Sequence, residues 1–193
     1  MSEAPKVDRK RIAALVKERI AVVPYDPAWP GRYEAIEARL KKLLPKNLVQ
    51  RIAHIGSTAV PGLSAKPIID VQVEVNDMDE VLERVVPRME EEGYEFIWRP
   101  SIGENEPYYA WFIMRDAKGE RTEHVHILSP DHSSMERIVF RDLLRRHPEE
   151  ALAYEKLKNE LARKYARDRA AYTLGKTEFI RTILRKGRDG TLR

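Results

Sequence analysis

The run Ile68 to Val75 constrains this chain most. It reads IIDVQVEV, with Ile69, Val71, Val73 and Val75 on one side of an extended backbone and Asp70, Gln72 and Glu74 on the other. Strand side chains alternate with a period of two, so this is a strand with one buried and one polar face. Arg121 to Leu128 alternates in the same way. His124 and His126 lie two apart, hence on one face, with Val125 and Ile127 on the other. Two such strands require a sheet whose apolar side is covered by helices.

The rest of the sequence supplies the covering pieces. After the Pro-rich stretch AVVPYDPAWP, Tyr33, Ile36, Leu40 and Leu43-Leu44 keep helical spacing from Pro30 up to Pro45. Leu48 to Ile55 reads as a strand. GSTAVPGLSAKP, with two glycines and two prolines, is a loop or a short irregular helix. Asp77 with Glu80 three residues on opens a helix to about Glu92, and Gly93 stops it. Tyr94 to Trp98 and Tyr108 to Arg115 read as strands, the second apolar on both faces. A short basic helix is expected around Asp8 to Val16. Beyond Ser133 everything is helical in pattern: one segment ending near His147-Pro148, one from Glu149 to about Lys164, and one from about Arg167 to Lys186. The predicted class is therefore α/β (α+β), a mixed sheet with helices plus a helical C-terminal part. The expected organisation is an extension over 1–19, one domain over 20–186 that turns helical near 133, and a fraying tail over 187–193.

Composition removes several kinds of function. The chain has 193 residues, 42% of them hydrophobic, enough for one core. No run approaches the roughly 18 uninterrupted apolar residues of a membrane span, and the charged N-terminus does not read as a secretory signal. There is no cysteine, which excludes disulfides, thiolate metal ligands and a thiol nucleophile. A cytoplasmic protein is expected. With 35 basic against 31 acidic residues, the net charge is only +4, and nucleic acid is not the expected partner.

The chemistry concentrates between His54 and Val75. Gly56 lets backbone amides approach a phosphate, Ser57 adds a hydroxyl, and Asp70 offers the oxygen that a hard cation prefers. An ordinary turn is the competing reading of Gly56-Ser57. If Asp70, Gln72, His124 and His126 look into one cleft, the imidazoles could hold a transition metal or act as a base. Glu74 lies about 7 Å further along the strand, and a solvated strand end is expected there. Glu123 should point away from the histidine pair, His54 should brace the loop, and Trp29, Trp98 and Trp111 should be core.

The Gly-Ser turn followed by an acid-bearing strand resembles the signature of the nucleotidyltransferase superfamily. More narrowly, the chain resembles the GrpB-like (UPF0157-type) family within it. The residues that carry this are Tyr25, Pro27 and Trp29, then HIGSTAVPGL, AKPIID, His124 and His126, Phe140 to Arg145, and Tyr172, Lys176 and Phe179. They run from about Ile20 to Leu184. The chain is also similar to the GrpB-like domain fused to some bacterial dephospho-CoA kinases, although it has no P-loop of its own. The resemblance implies a nucleotidyltransferase-like fold and Mg2+, or else Mn2+ or another divalent cation. It also implies a nucleoside triphosphate and a small-molecule acceptor as partners, with pyrophosphate leaving. It makes Asp70 and His126 the catalytic candidates, and Asp70, Gln72, His124 and His126 the metal ligands. Gly56, Ser57, Thr58, Lys66, Arg141 and Lys176 become the phosphate-binding candidates. Gln72 departs from the pattern, since the superfamily has an acid at that position. A non-catalytic nucleotide- or metabolite-binding module on the same fold is the alternative, and hydrolysis at a metal held by the histidine pair and Asp70 is a third reading.

Overall fold

A computed structural model describes residues 5–102 and 105–192. Helix α1 (Arg9–Leu15) is capped by the Asp8 carboxylate, which accepts from the Arg11 amide. Helix α2 (Trp29–Leu43) carries Pro30 in its first turn. Strand β1 (Val49–Ile55) leads through Gly56 into one 3-10 turn, Ser57–Ala59, and then into β2 (Ile69–Val75). Asp77 caps the next helix as its spacing to Glu80 predicts, its carboxylate accepting from the Glu80 amide at 3.0 Å. That helix is not uniform. It begins as α3 (Met78–Glu80), widens to a π-helical turn over Val81–Val85 and resumes as α4 (Val86–Glu91). Pro87 has no N–H to return to the preceding turn, and the widening falls just before it.

Strands β3 (Glu95–Ile102), β4 (Asn105–Arg115) and β5 (Arg121–Leu128) complete one sheet in the order β1-β2-β5-β4-β3. Every pairing is antiparallel except β2 with β5, which run parallel with Asp70 opposite His124 and Gln72 opposite His126. The mixed α/β class is as expected. On the back face, Val71, Val73, Val125, Ile127 and Phe112 pack against Trp29, Ile36 and Leu40 of α2 and against Val81, Val85 and Met89. All four alternating β2 and β5 residues there are fully buried. Glu123 lies away from the histidines, as expected, and binds Arg39 and the Tyr94 hydroxyl.

The helices α5 (His132–Arg146), α6 (Pro148–Lys164), α7 (Arg169–Gly175) and α8 (Thr177–Arg188) lie beside the front face. The single C-terminal helix expected from about Arg167 to Lys186 is thus two helices, joined at Lys176. Gly175 abuts Leu161 so closely that a Cβ would stand 2.6 Å from a leucine methyl, and any side chain there would oblige Leu161 to shift. The first helix and the last described residues are also better anchored than the sequence suggests. Leu15 packs with Ile97, Tyr109, Trp111 and Ile113, and its carbonyl accepts from Arg121 at 2.8 Å. Leu192 buries itself against Leu143 and Ile183, so the segment expected to fray is held through residue 192. Among the described residues no helix is long and apolar enough to cross a membrane.

Candidate functional site

The parallel register of β2 and β5 places Asp70, His124 and His126 side by side on the front face. Asp70 Oδ1 is 3.0 Å from His124 Nδ1 and 3.7 Å from His126 Nε2, and ligand atoms of all three lie within 4.8 Å of one another. Gly56, at the end of β1, presses against them. Its φ of 72° is left-handed, and a Cβ there would stand 2.7 Å from Asp70 Oδ2. Glycine is therefore required first to make room for the aspartate, before any ligand is considered.

The electrostatics fix the protonation states. Burial alone would raise the Asp70 pKa, but the bonds to His124 and His126 and the nearby Lys66 charge hold it well below the usual carboxylate range. Burial pulls His124 down to about 4, and it pulls His126 down too, helped by the charges of Arg137 and Arg99. At neutral pH the site is thus one carboxylate with two neutral imidazoles, the state in which all three can ligate. Trp111 walls the pair, lying edge-on to His124 at 5.1 Å and parallel to His126 at 6.3 Å, and Tyr109 lies 5.5 Å from the His126 ring. The second ring nitrogens, His124 Nε2 and His126 Nδ1, are buried without a hydrogen-bond partner.

Two neighbours of Asp70 on β2 have their own partners. The Gln72 amide donates to Glu74 Oε1 at 3.0 Å and to the Ser134 carbonyl of α5 at 3.1 Å, so it ties the sheet to α5. Glu74 is not at a solvated strand end. It is buried and held in a fork by Arg51, directly opposite on β1, with contacts of 2.6 to 2.9 Å. Its charge is already matched. Thr58 also leaves the expected set: it is buried, shares a 3.0 Å bond with His54 Nε2 and donates to the Ile68 carbonyl. His54, lowered to about 4 by burial and stacked on Tyr33 at 4.6 Å, braces the loop as expected. Trp29 is fully buried core, and Trp98 stacks on Tyr108.

Asp70, His126, Gly56 and Ser57 open onto one hollow of 390 Å3, which Arg141 also lines. The Arg141 guanidinium is committed: it donates to the His54 carbonyl at 2.8 Å and to Asp142 at 2.7 Å, fastening α5 to the end of β1. Lys66 and Lys176 come together from distant parts of the chain, their ammonium groups 5.9 and 4.6 Å from the centre of the same Tyr172 ring. Both feel the Asp70 charge; burial, with the charges of Arg169 and Arg121, lowers Lys66 to about 8, and burial, with the charges of Lys66 and Lys158, lowers Lys176 to about 7. Neither has an ion-pair partner among the described residues. A third lysine, Lys158, joins them. It is buried, donates to the Ser64 carbonyl, lies 5.0 Å from the Tyr154 ring and is lowered by burial to about 8.

Sequence reasoning missed Lys158, Arg137, Tyr109 and the place of Trp111 beside the histidines. Lys158 had a signal: it occupies the inward stripe of α6, four residues after Tyr154 and seven after Ala151, where a leucine is expected. Trp111 and Tyr109 had none, because their position depends on the pairing of β4 with β5.

The sequence matches the GrpB protein family over residues 19–186, and the chain belongs to that family. It is 39% identical to a UPF0157 protein of Pseudomonas aeruginosa, over 94% of this chain and 73% of that one. The crystal structure of the conserved protein GrpB from Enterococcus faecalis aligns with a TM-score of 0.74 at 31% identity, covering 90% of this chain and 100% of that one. A stretch of 86 aligned residues, 39% of this chain, is 35% identical to 21% of a dephospho-CoA kinase of Mycolicibacterium paratuberculosis.

Proposed function

We propose that the protein is a nucleotidyltransferase-like enzyme. In this reading it transfers a nucleoside monophosphate from a nucleoside triphosphate to a small-molecule acceptor, with one divalent transition metal held by Asp70, His124 and His126. The observation that carries it is the convergence of those three side chains at the wall of a hollow that begins at Gly56-Ser57.

The donor set decides the metal. A pair of Mg2+ ions wants several carboxylates or waters around it, and here Glu74 is matched by Arg51 and Gln72 has only a neutral carbonyl oxygen to give, its amide N–H being held by Ser134. One carboxylate with two neutral imidazoles suits Mn2+ or Zn2+ better. The Mg2+ implied by the family resemblance therefore gives way to an imidazole-binding ion. When bound, that ion would neutralise phosphate charge and lower the pKa of an acceptor hydroxyl. The chain's own groups do the remaining work. Ser57 offers a hydroxyl at the mouth of the hollow, and Lys66 and Lys176 offer two ammonium groups to the departing phosphates, with the buried Lys158 adding its charge behind Lys176. Arg141 acts as a positioning residue through the His54 carbonyl, and Gly56 keeps the Asp70 carboxylate in place.

The test is pyrophosphate release from each nucleoside triphosphate with Mn2+ or Zn2+ and a metabolite extract. Turnover that Asp70→Asn abolishes supports transfer chemistry. A second reading, a binding module on the same fold, is favoured by the single free carboxylate. Thermal stabilisation by a nucleotide with no pyrophosphate under either metal decides for it.

A further inference from the structure

The hollow beside the metal-binding set has walls that transfer of a nucleotide does not by itself explain. Ile55, Val60, Phe140, Leu144, Ile180 and Leu184 make most of it apolar, and its volume is 390 Å3. Most polar groups on its rim already have partners. The Ser133 hydroxyl donates to Asp131, Glu136 pairs with Arg188 at 3.1 Å, and Arg141 is held by His54 and Asp142. A nucleobase is recognised through several donors and acceptors along its edge, and apart from the hydroxyls of Ser57 and Tyr154 the wall offers few. Arg137 is the exception. It lines the hollow half-buried, with its guanidinium 5.9 Å from the Tyr109 ring centre, and has no hydrogen-bond or ion-pair partner among the described residues. A second guanidinium, Arg99, lies 5.8 Å from the same ring and 5.1 Å from Trp111, with its Nε buried and unpartnered. Two arginines stacked on aromatic faces keep their planar edges free for an oxyanion, the geometry in which guanidinium recognises carboxylate.

We propose that this hollow binds the acceptor, and that the acceptor is an amphipathic hydroxy acid, its apolar body against Phe140, Leu144 and Ile180, its carboxylate on Arg137 and its hydroxyl left free to attack at the metal-binding set. The inference rests on the reading of the cleft as a substrate site and names the chemistry of what enters it. The nucleotide's phosphates are then left to the lysine group around Tyr172, a separate set of cations. An apolar body also accounts for the aliphatic and aromatic side chains that make up most of the wall.

Octanoate is the probe, with octanol and adenosine as comparators, each titrated into the full chain by calorimetry without added metal. Octanoate should bind saturably and about tenfold more tightly than octanol, the ratio expected of one charge-assisted contact. Arg137→Gln should bring octanoate to the level of octanol without changing octanol binding. Ile180→Trp, which fills the hollow from a half-buried helix position, should remove both. Equal affinity for octanoate and octanol in the unaltered protein would overturn the proposal. So would octanoate binding indifferent to both substitutions, or displacement of octanoate by adenosine with tighter binding, which would assign the hollow to a base. A metal titration of the same preparations separates the two ideas: octanoate binding that survives where Zn2+ fails to bind would sink the transferase reading alone.

Discussion

The two faces of the sheet are made by the same two strands and do opposite work. On the back, Val71, Val73, Val125 and Ile127 are fully buried against α2 and the α3–α4 segment, and any apolar residues of similar shape would serve. On the front, Asp70, Gln72, Glu74, His124 and His126 are polar and still largely covered, so each needs a partner. Glu74 has Arg51, and Gln72 has Glu74 and Ser134. Asp70 and the histidines have one another, while the second ring nitrogens of both histidines and the Gln72 carbonyl oxygen are buried without a partner. The difference teaches where function sits on such a sheet. In the function proposed above it lies where Asp70, His124 and His126 converge on the hollow, a set whose second ring nitrogens the fold leaves unpartnered.

The contrast can be broken from either side. The largest effect on stability belongs to the back. Phe112→Ala removes a fully buried ring that packs on Phe96 and Tyr94, and urea unfolding should show a loss of about 3–5 kcal/mol. The front should be untouched by it, with metal affinity of the folded fraction unchanged. Gly56→Ala comes next. It forces a side chain into left-handed backbone and against Asp70 Oδ2, so we expect about 1–3 kcal/mol of destabilisation. Unlike Phe112→Ala, it should also weaken metal binding, and calorimetry on the same protein distinguishes the two.

The smallest effect is one of pH. Lys176 and Lys66, lowered to about 7 and about 8 by burial, lose their protons in the folded chain, while in the unfolded chain they keep them to about 10.5. Between those values the unfolded state binds more protons, so stability rises with pH. Melting of the ligand-free protein should climb by about a few degrees from pH 7 to pH 9. Lys176→Met should flatten the rise. Pyrophosphate affinity should run the other way, weakening over the same interval as the ammonium groups discharge.

Much of the fold was legible because it is local. Alternation in Ile69–Val75 and Arg121–Leu128, and the Asp77-to-Glu80 spacing, are read within a few residues and recur as β2, β5 and the cap of α3. Their faces were legible too, which is why Asp70, His124 and His126 could be placed together. What failed depended on partners far along the chain. Glu74 looks like a solvated strand end until Arg51 is set opposite it in the β1–β2 register. The Gln72 amide N–H looks unengaged until α5 brings the Ser134 carbonyl to it. The break at Lys176 is equally non-local, since it accompanies the contact of Gly175 with Leu161.

Titrating Zn2+ or Mn2+ into metal-stripped protein, with and without His124→Ala/His126→Ala, addresses the incomplete bonding on the front face most directly. The expected outcome is one ion bound per chain, abolished in the double variant while urea unfolding still reports a folded protein. Undiminished stoichiometric binding in that variant, or none in the unaltered chain, would mean that Asp70 and its two imidazoles satisfy one another and hold nothing else.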